Sequence, residues 1–162
     1  MKTLLLMRHA KSDWEAHYSS DHERPLNDRG VASAKAMGEA LASKDLAPDL
    51  VITSTAVRAR TTAELASQAG SWRSSITLEP LLYGASSSQM IEVAASAPAV
   101  ARLMLVGHQP TWSSSVFQLT GEHVEMKTAT VAVITAPIDH WAELVEGTAE
   151  LVVVLHARAF LD

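Results

Sequence analysis

Apolar residues in this chain fall into two kinds of run, and the alternation between them predicts the fold. Leu4-Leu5-Leu6-Met7, Leu50-Val51-Ile52 and Leu103-Met104-Leu105-Val106 are short unbroken stretches closed by polar or glycine positions. Such runs mark strands covered on both faces by helices. Between them the apolar positions move to helical spacing. Behind Asn27, a good N-cap, Val31, Ala34, Met37, Gly38, Leu41 and Ala42 line one face, while Lys35, Glu39 and Lys44 take the other. Pro48 separates this helix from the second strand. Ser54 or Thr55 is placed to cap an alanine-rich helix running to about Ala69, and Ser86 to Ser88 to cap another reaching about Ala97. Ile76 to Leu78 predicts a short strand, and Pro110 suits the first turn of a helix.

Toward the carboxyl end, Ala129 to Thr135 predicts a strand stopped by Pro137. Trp141 to Glu146 and Leu151 to Leu155 flank Gly147-Thr148 and are expected to form a hairpin. Phe160-Leu161 is expected to dock on the core or on a second subunit. Lys11 to Asp28 has no period, is rich in Ser, Asp, His and Glu, and predicts a long loop over the end of the first strand. Long loops in compact domains are often functional. No repeat or linker divides the chain, so the expected architecture is α/β: a single three-layer sandwich, a mostly parallel mixed sheet with helices on both faces.

Composition narrows the possible tasks. With 162 residues, 48% hydrophobic and 19% charged, the chain suits one globular domain and excludes disorder and fibrous repeats. Thirteen Lys and Arg against eighteen Asp and Glu give a net charge of −5. That balance argues against nucleic acid as a partner, which needs a broad basic field, so any anion site has to be local. The absence of cysteine removes disulfides, thiolate metal sites and cysteine nucleophiles. Leu4 to Met7 is shorter than the ~7–15-residue core of a signal peptide, and no run approaches membrane-spanning length. A cytoplasmic protein without membrane contact is expected.

In an open α/β sheet, ligands bind beyond the carboxyl ends of the strands. Arg8-His9 ends the first strand, Arg58 sits in the first turn of the helix after the second, and His108 follows Leu103–Val106. Each alone is ordinary: a surface Arg–His pair, a solvated helix residue near Arg60, a turn histidine. Together at one sheet edge they predict an anion clamp, because guanidinium offers bidentate hydrogen bonds to phosphate oxygens. A histidine among them would be the nucleophile. His17, His22, His123, His140 and His156 lack metal-ligand spacing on a helix, so no metal site is expected. Trp14 and Trp112 lie beside these loops, where they would wall a pocket, whereas Trp72 and Trp141 are expected to pack on the domain.

Four ordered segments carry a resemblance. Met7-Arg8-His9-Ala10-Lys11-Ser12, Arg24-Pro25-Leu26 with Gly30, Ser54-Thr55-Ala56-Val57-Arg58-Ala59 with Thr62-Ala63, and Gly107-His108-Gln109-Pro110 resemble the signatures of the histidine phosphatase superfamily. Within it they are most similar to the small SixA-type phosphohistidine phosphatases. The resemblance implies a phosphoglycerate mutase-like fold and a single domain over residues 1–162. It also implies phosphate removal from phosphohistidine through a covalent phospho-His9 intermediate. Arg8, Arg58 and His108 would neutralise the phosphoryl oxygens, Arg24 and Ser12 would bind substrate, and no cofactor or metal is implied. The implied partner is a phosphohistidine-containing protein or a small phosphate ester.

Two departures from the superfamily pattern matter. Ala10 stands where the first motif commonly has glycine, which mildly restricts backbone approach. In Glu79-Pro80-Leu81-Leu82-Tyr83, Tyr83 holds the approximate place of the carboxylic acid that protonates an ester's leaving oxygen in the mutases. An alkoxide needs that proton, and general acid catalysis typically contributes ~10²–10⁴-fold. A phosphohistidine imidazole already protonated at its other nitrogen leaves neutral without it. The pattern therefore favours phosphohistidine. The alternatives are a small-molecule phosphomonoesterase, with Asp21, Glu23 or Glu79 folded into the pocket as acid, and a non-catalytic binder of phosphorylated ligands. Two close imidazoles with different required protonation states predict coupled titration, with activity falling at low pH.

Overall fold

A computed structural model describes residues 1–161. Its strands are β1 (Lys2–Arg8), β2 (Leu50–Thr53), β3 (Ser75–Leu78), β4 (Arg102–Gly107), β5 (Val131–Ala136) and β6 (Glu150–Leu155). They form one sheet in the order β3-β2-β4-β1-β5-β6. The first four run parallel, β5 is antiparallel to β1, and β6 is antiparallel to β5. Four helices complete the layers: α1 (Asp28–Ser43), α2 (Val57–Ala69), α3 (Ser87–Ala95) and α4 (Thr111–Thr120). The mixed, mostly parallel α/β sandwich expected from the sequence is the fold observed.

The unbroken apolar strands are explained by the two faces they serve. Side chains alternate along a strand, so Leu4, Leu6, Leu103 and Leu105 pack with Met90 of α3 and Val116 and Leu119 of α4. Leu5, Met7, Met104 and Val106 turn the other way, onto Met37 and Leu41 of α1 and Ala63 and Ala66 of α2. A polar residue on either face would be buried. Small residues let α1 and α2 approach closely. A Cβ added at Gly38 would fall well inside van der Waals contact of the Ala66 backbone. Gly38→Ala is therefore expected to cost about 1–3 kcal/mol through overpacking, read as a lower urea midpoint with an unchanged slope.

Local caps follow the sequence in two helices. The Asn27 side chain accepts from the Gly30 N–H at 2.8 Å, and Ser86 forms a capping box with Gln89. At α2 the expectation is corrected. Ala56 is the N-cap and its side chain caps nothing; the Ser54 hydroxyl oxygen accepts from the Ala56 N–H at 3.2 Å and lies 2.8 Å from His108, and that of Thr55 lies 2.8 Å from His22. Pro110 occupies the N-cap of α4 rather than its first turn.

Three further readings are resolved by packing. Residues 141–146 form no strand: Trp141–Glu143 is a single 3-10 turn, with the buried Trp141 indole donating to the Val100 carbonyl at 2.8 Å. The partner of β6 is β5, so the antiparallel pair is closed by a longer connection than the expected hairpin. Trp112 is fully buried and donates to the Leu105 carbonyl, so it belongs to the core instead of a pocket wall. Phe160 packs against the α1–α2 face, with the Lys44 ammonium 5.5 Å from its ring centre. Among the described residues, no helix is long and apolar enough to cross a membrane.

Candidate active site

Strand register delivers the site. Arg8 at the end of β1 lies opposite Gly107 at the end of β4, and Thr53 of β2 opposite Val106. His9, His108 and Ser54 therefore leave the sheet side by side. The His9 and His108 ring centres are 5.3 Å apart. The loop after His9 is pinned from both sides: the Ala10 N–H donates to Thr62 Oγ1 at 2.9 Å, and the Asn27 N–H donates to the Lys11 carbonyl at 3.1 Å. Gly30 is required beneath it, since a Cβ there would collide with that same Lys11 backbone. Ala10 itself is fully buried without disturbing this arrangement.

The proton on His9 is placed by a neighbour. Nδ1 lies 2.7 Å from the Ala10 carbonyl oxygen, which can only accept, so Nδ1 carries the hydrogen and Nε2 keeps its lone pair. Burial pushes the His9 pKa down to about 3, with His108, Arg58 and Arg8 adding to the effect against the Ala10 hydrogen bond. Burial likewise lowers His108 to about 4, helped by Arg58. Both rings are thus neutral at pH 7 in the free protein. The Ser54 hydroxyl is 2.8 Å from His108 Nε2, which leaves Nδ1 of that ring as its other polar atom.

Three guanidinium groups surround these rings. An Arg8 terminal nitrogen donates to the Met126 carbonyl at 3.0 Å. Arg58 donates to the Asp21 carbonyl at 2.7 Å and to its Oδ2 at 2.9 Å. Arg24 donates to Asp21 Oδ1 at 2.9 Å and to Ser12 Oγ. Arg24, Arg58 and Ser12 are all buried. The resemblance implies that Arg24 binds substrate. It lines the pocket and pairs with Asp21, but it is not at the surface.

Among the described residues, four buried side-chain polar atoms have no hydrogen-bond partner: Nε of Arg8, Arg24 and Arg58, and Nδ1 of His108. All four belong to residues lining one cavity of about 570 Å³, together with His9, Ser12 and Tyr83. A buried charged donor without an acceptor is costly. Arg8, Arg24, Arg58 and Lys11 line the cavity, and only the Asp21 carboxylate, outside the lining, pairs with two of them, although the chain as a whole carries −5. The cavity suits a small ligand with several negative oxygens.

Asp21, which the sequence offers only as one of three candidate acids, stands among the arginines instead. Its carboxylate joins Arg24, Arg58 and Tyr83, whose hydroxyl donates to Oδ2 at 2.9 Å. Arg24 first, then Tyr83 and Arg58, hold its pKa far below the usual carboxylate range, against a smaller opposing effect of burial. Its one sequence signal is its spacing three residues before Arg24 on the motif loop. Glu23 pairs with His22, and the Glu79 carboxylate accepts from the Leu81 N–H. Among the described residues no carboxylate lines the cavity, and none with His or a further carboxylate forms a group of three able to hold a metal ion.

Residues 4–160 match the model of the histidine phosphatase superfamily, branch 1. The chain belongs to that superfamily. A protein of unknown activity from Mycobacterium tuberculosis is 34% identical over 158 residues, covering 90% of this chain and 96% of that one. The structure of a candidate phosphohistidine phosphatase SixA from Nakamurella multipartitia superposes with a TM-score of 0.84 at 30% identity, covering 96% of this chain and 95% of that one. A 2,3-bisphosphoglycerate-dependent phosphoglycerate mutase of Mycobacterium leprae is 41% identical over 90 residues, which is 51% of this chain and 36% of the mutase. The superfamily and its structural neighbours support an enzyme of phosphatase or mutase type.

For this member of the superfamily, the buried neutral imidazoles set a pH dependence. Unfolded histidine binds a proton near pH 6.5, whereas the folded rings do so only near pH 3 and 4. The unfolded chain therefore holds more protons between these values, and stability falls as pH drops from about 6.5 toward 4. The thermal midpoint is expected to decline over that window. Imidazole NMR shifts of His9 and His108 in the free protein should stay flat from pH 8 to 5. The acid limb due to these rings thus lies below pH 5, lower than unperturbed histidines would put it.

Asp21 leads to a second expectation. An ionised carboxylate that orients arginines supplies no proton to a leaving group. Asp21→Asn is expected to lower kcat/KM on the order of 10-fold through weakened charge-assisted hydrogen bonds. The loss should be equal for aryl phosphates with good and poor leaving groups. A loss that grows steadily as the leaving phenol becomes less acidic would make Asp21 the general acid.

Proposed function

We propose that this protein is a phosphohistidine phosphatase that works through a phospho-His9 intermediate. The observation that carries the reading is the set of four unpartnered buried nitrogens around one cavity with His9 on its wall. The Nε2 lone pair of His9 attacks phosphorus in line, and the bond from phosphorus to the substrate imidazole nitrogen breaks with its electron pair going to that ring. Arg8, Arg58 and His108 donate to the phosphoryl oxygens, and Arg24, held by Ser12, extends the same cationic wall. Water then attacks phospho-His9 and releases inorganic phosphate, returning Nε2 to its starting state. Guanidinium charge supplies what a divalent ion supplies elsewhere, so the reaction is proposed to need no metal or other cofactor.

Substrate choice rests on the missing acid. Asp21 is held ionised, the Tyr83 hydroxyl is directed to Asp21, and the Glu79 carboxylate caps the 3-10 turn that follows it. An imidazole leaving group tolerates this and an alkoxide does not. Similarity to the SixA structure agrees with a phosphorylated histidine on a protein as substrate. The partial match to a phosphoglycerate mutase favours a second reading, hydrolysis of a small phosphate ester. Brief incubation with a phosphohistidine peptide, acid-free quenching and tandem mass spectrometry test the proposal. A phosphoryl group on His9 is expected; phosphate release with no modified His9 at any time would overturn it.

A further inference from the structure

The phosphoryl chemistry leaves two aromatic side chains of the cavity unused. Trp14 is 69% exposed and Tyr83 38% exposed, and both line the cavity. Each is held by a specific partner. The Arg24 guanidinium lies 3.6 Å from the centre of the Trp14 ring, and Arg24 is itself fixed by Ser12 and Asp21. Tyr83 is tied through its hydroxyl to the same Asp21 carboxylate. Its ring stands edge-on to His22 at 4.9 Å and to His108 at 5.6 Å. Trp14, Arg24, Asp21 and Tyr83 thus form one chain of contacts that holds two rings beside the phosphoryl pocket.

Packing alone does not account for that arrangement. An indole that served only to bury itself would not remain two-thirds exposed at the rim of a cationic pocket. Rigid aromatic side chains lose little conformational entropy when a flat group lands on them. The cationic side chains of the cavity bind any phosphoryl group, so they cannot distinguish what the phosphorus is attached to. The rings can, because a flat leaving group stacks on them and an alkyl chain does so poorly.

We propose that Trp14 and Tyr83 are specificity-determining walls that favour a phosphoryl group carried on a flat ring, imidazole foremost, over one carried on an alkyl oxygen. The identity of the natural ring rests on the phosphohistidine reading above, whereas the preference for a ring does not. Each aromatic contact corresponds to about 2- to 10-fold in affinity.

Two probes separate the ring from the anion: phenylphosphonate and methylphosphonate, with the same type of headgroup, titrated calorimetrically into the full chain. The wild type is expected to bind phenylphosphonate at least about 5-fold more tightly. Trp14→Ala and Tyr83→Leu should each shrink that ratio by about 2- to 10-fold. Trp14→Phe and Tyr83→Phe should retain most of it, the latter despite losing the bond to Asp21. Retained methylphosphonate binding shows that a variant keeps its pocket. A wild-type ratio near one, a ratio untouched by both truncations, or equal weakening of both probes would overturn the walls. Turnover distinguishes the two levels. If the wild type hydrolyses alkyl phosphates faster than phosphohistidine, the phosphohistidine reading falls and the binding ratio still decides the walls.

Discussion

Replacing His9 by alanine is expected to lower phosphate release by about 10⁴-fold or more, because it removes the atom that forms the covalent bond to phosphorus. Arginines and His108 remain, so phosphate binding should survive while turnover does not. The proton placement strengthens the expectation. With Nδ1 donating to the Ala10 carbonyl and the pKa pushed down to about 3, Nε2 is an unprotonated nucleophile throughout the neutral range. Steady-state phosphate release and mass spectrometry of the quenched enzyme check both halves. Wild-type rates in His9→Ala would mean that water attacks directly.

The second large effect belongs to Arg58. An arginine that stabilises the charge of a transferring phosphoryl group contributes on the order of 10³–10⁵ in rate, and Arg58→Ala is expected to fall in that range. Arg58→Lys should recover little, since an ammonium keeps the charge but not the planar fork that reaches Asp21 with two nitrogens at once. Removing Arg58 also takes one partner from Asp21. A thermal midpoint is therefore measured alongside kcat. A loss of rate with the fold retained assigns the effect to the transition state; a rate loss below 10-fold would remove Arg58 from that role.

Legibility in the sequence followed the range of the interactions. Leu4–Met7 and Leu103–Val106 could be read as central strands because burial on both faces leaves no polar position, a purely local signature. The caps at Asn27 and Ser86 are likewise local, each completed within three residues. His9, Arg58 and His108 could be placed together because each follows a strand whose direction the α/β rhythm dictates.

What was missed depends on partners far along the chain. Ser54 and Thr55 look like helix caps, but the helix starts after Ala56 and their hydroxyls meet His108 and His22 from distant loops. Residues 141–146 have strand-like apolar content, but Trp141 is drawn inward by the Val100 carbonyl and the chain turns. Trp112 lies next to a motif loop in sequence, yet it faces the core beneath Gly107. Asp21 is one of several acidic residues in an aperiodic loop. Nothing local marks it as the one that meets Tyr83, 62 positions away.

Leaving-group preference is the property in which a site without a positioned acid differs most. The measurement is kcat/KM for a phosphohistidine peptide against a panel of alkyl phosphate monoesters, with the wild type and His9→Ala assayed side by side. A site without a positioned carboxylic acid predicts His9-dependent hydrolysis of phosphohistidine at least about 10²-fold faster than of the esters, the lower end of what a general acid contributes. Equal or faster ester turnover would contradict it and require an acid near the leaving oxygen.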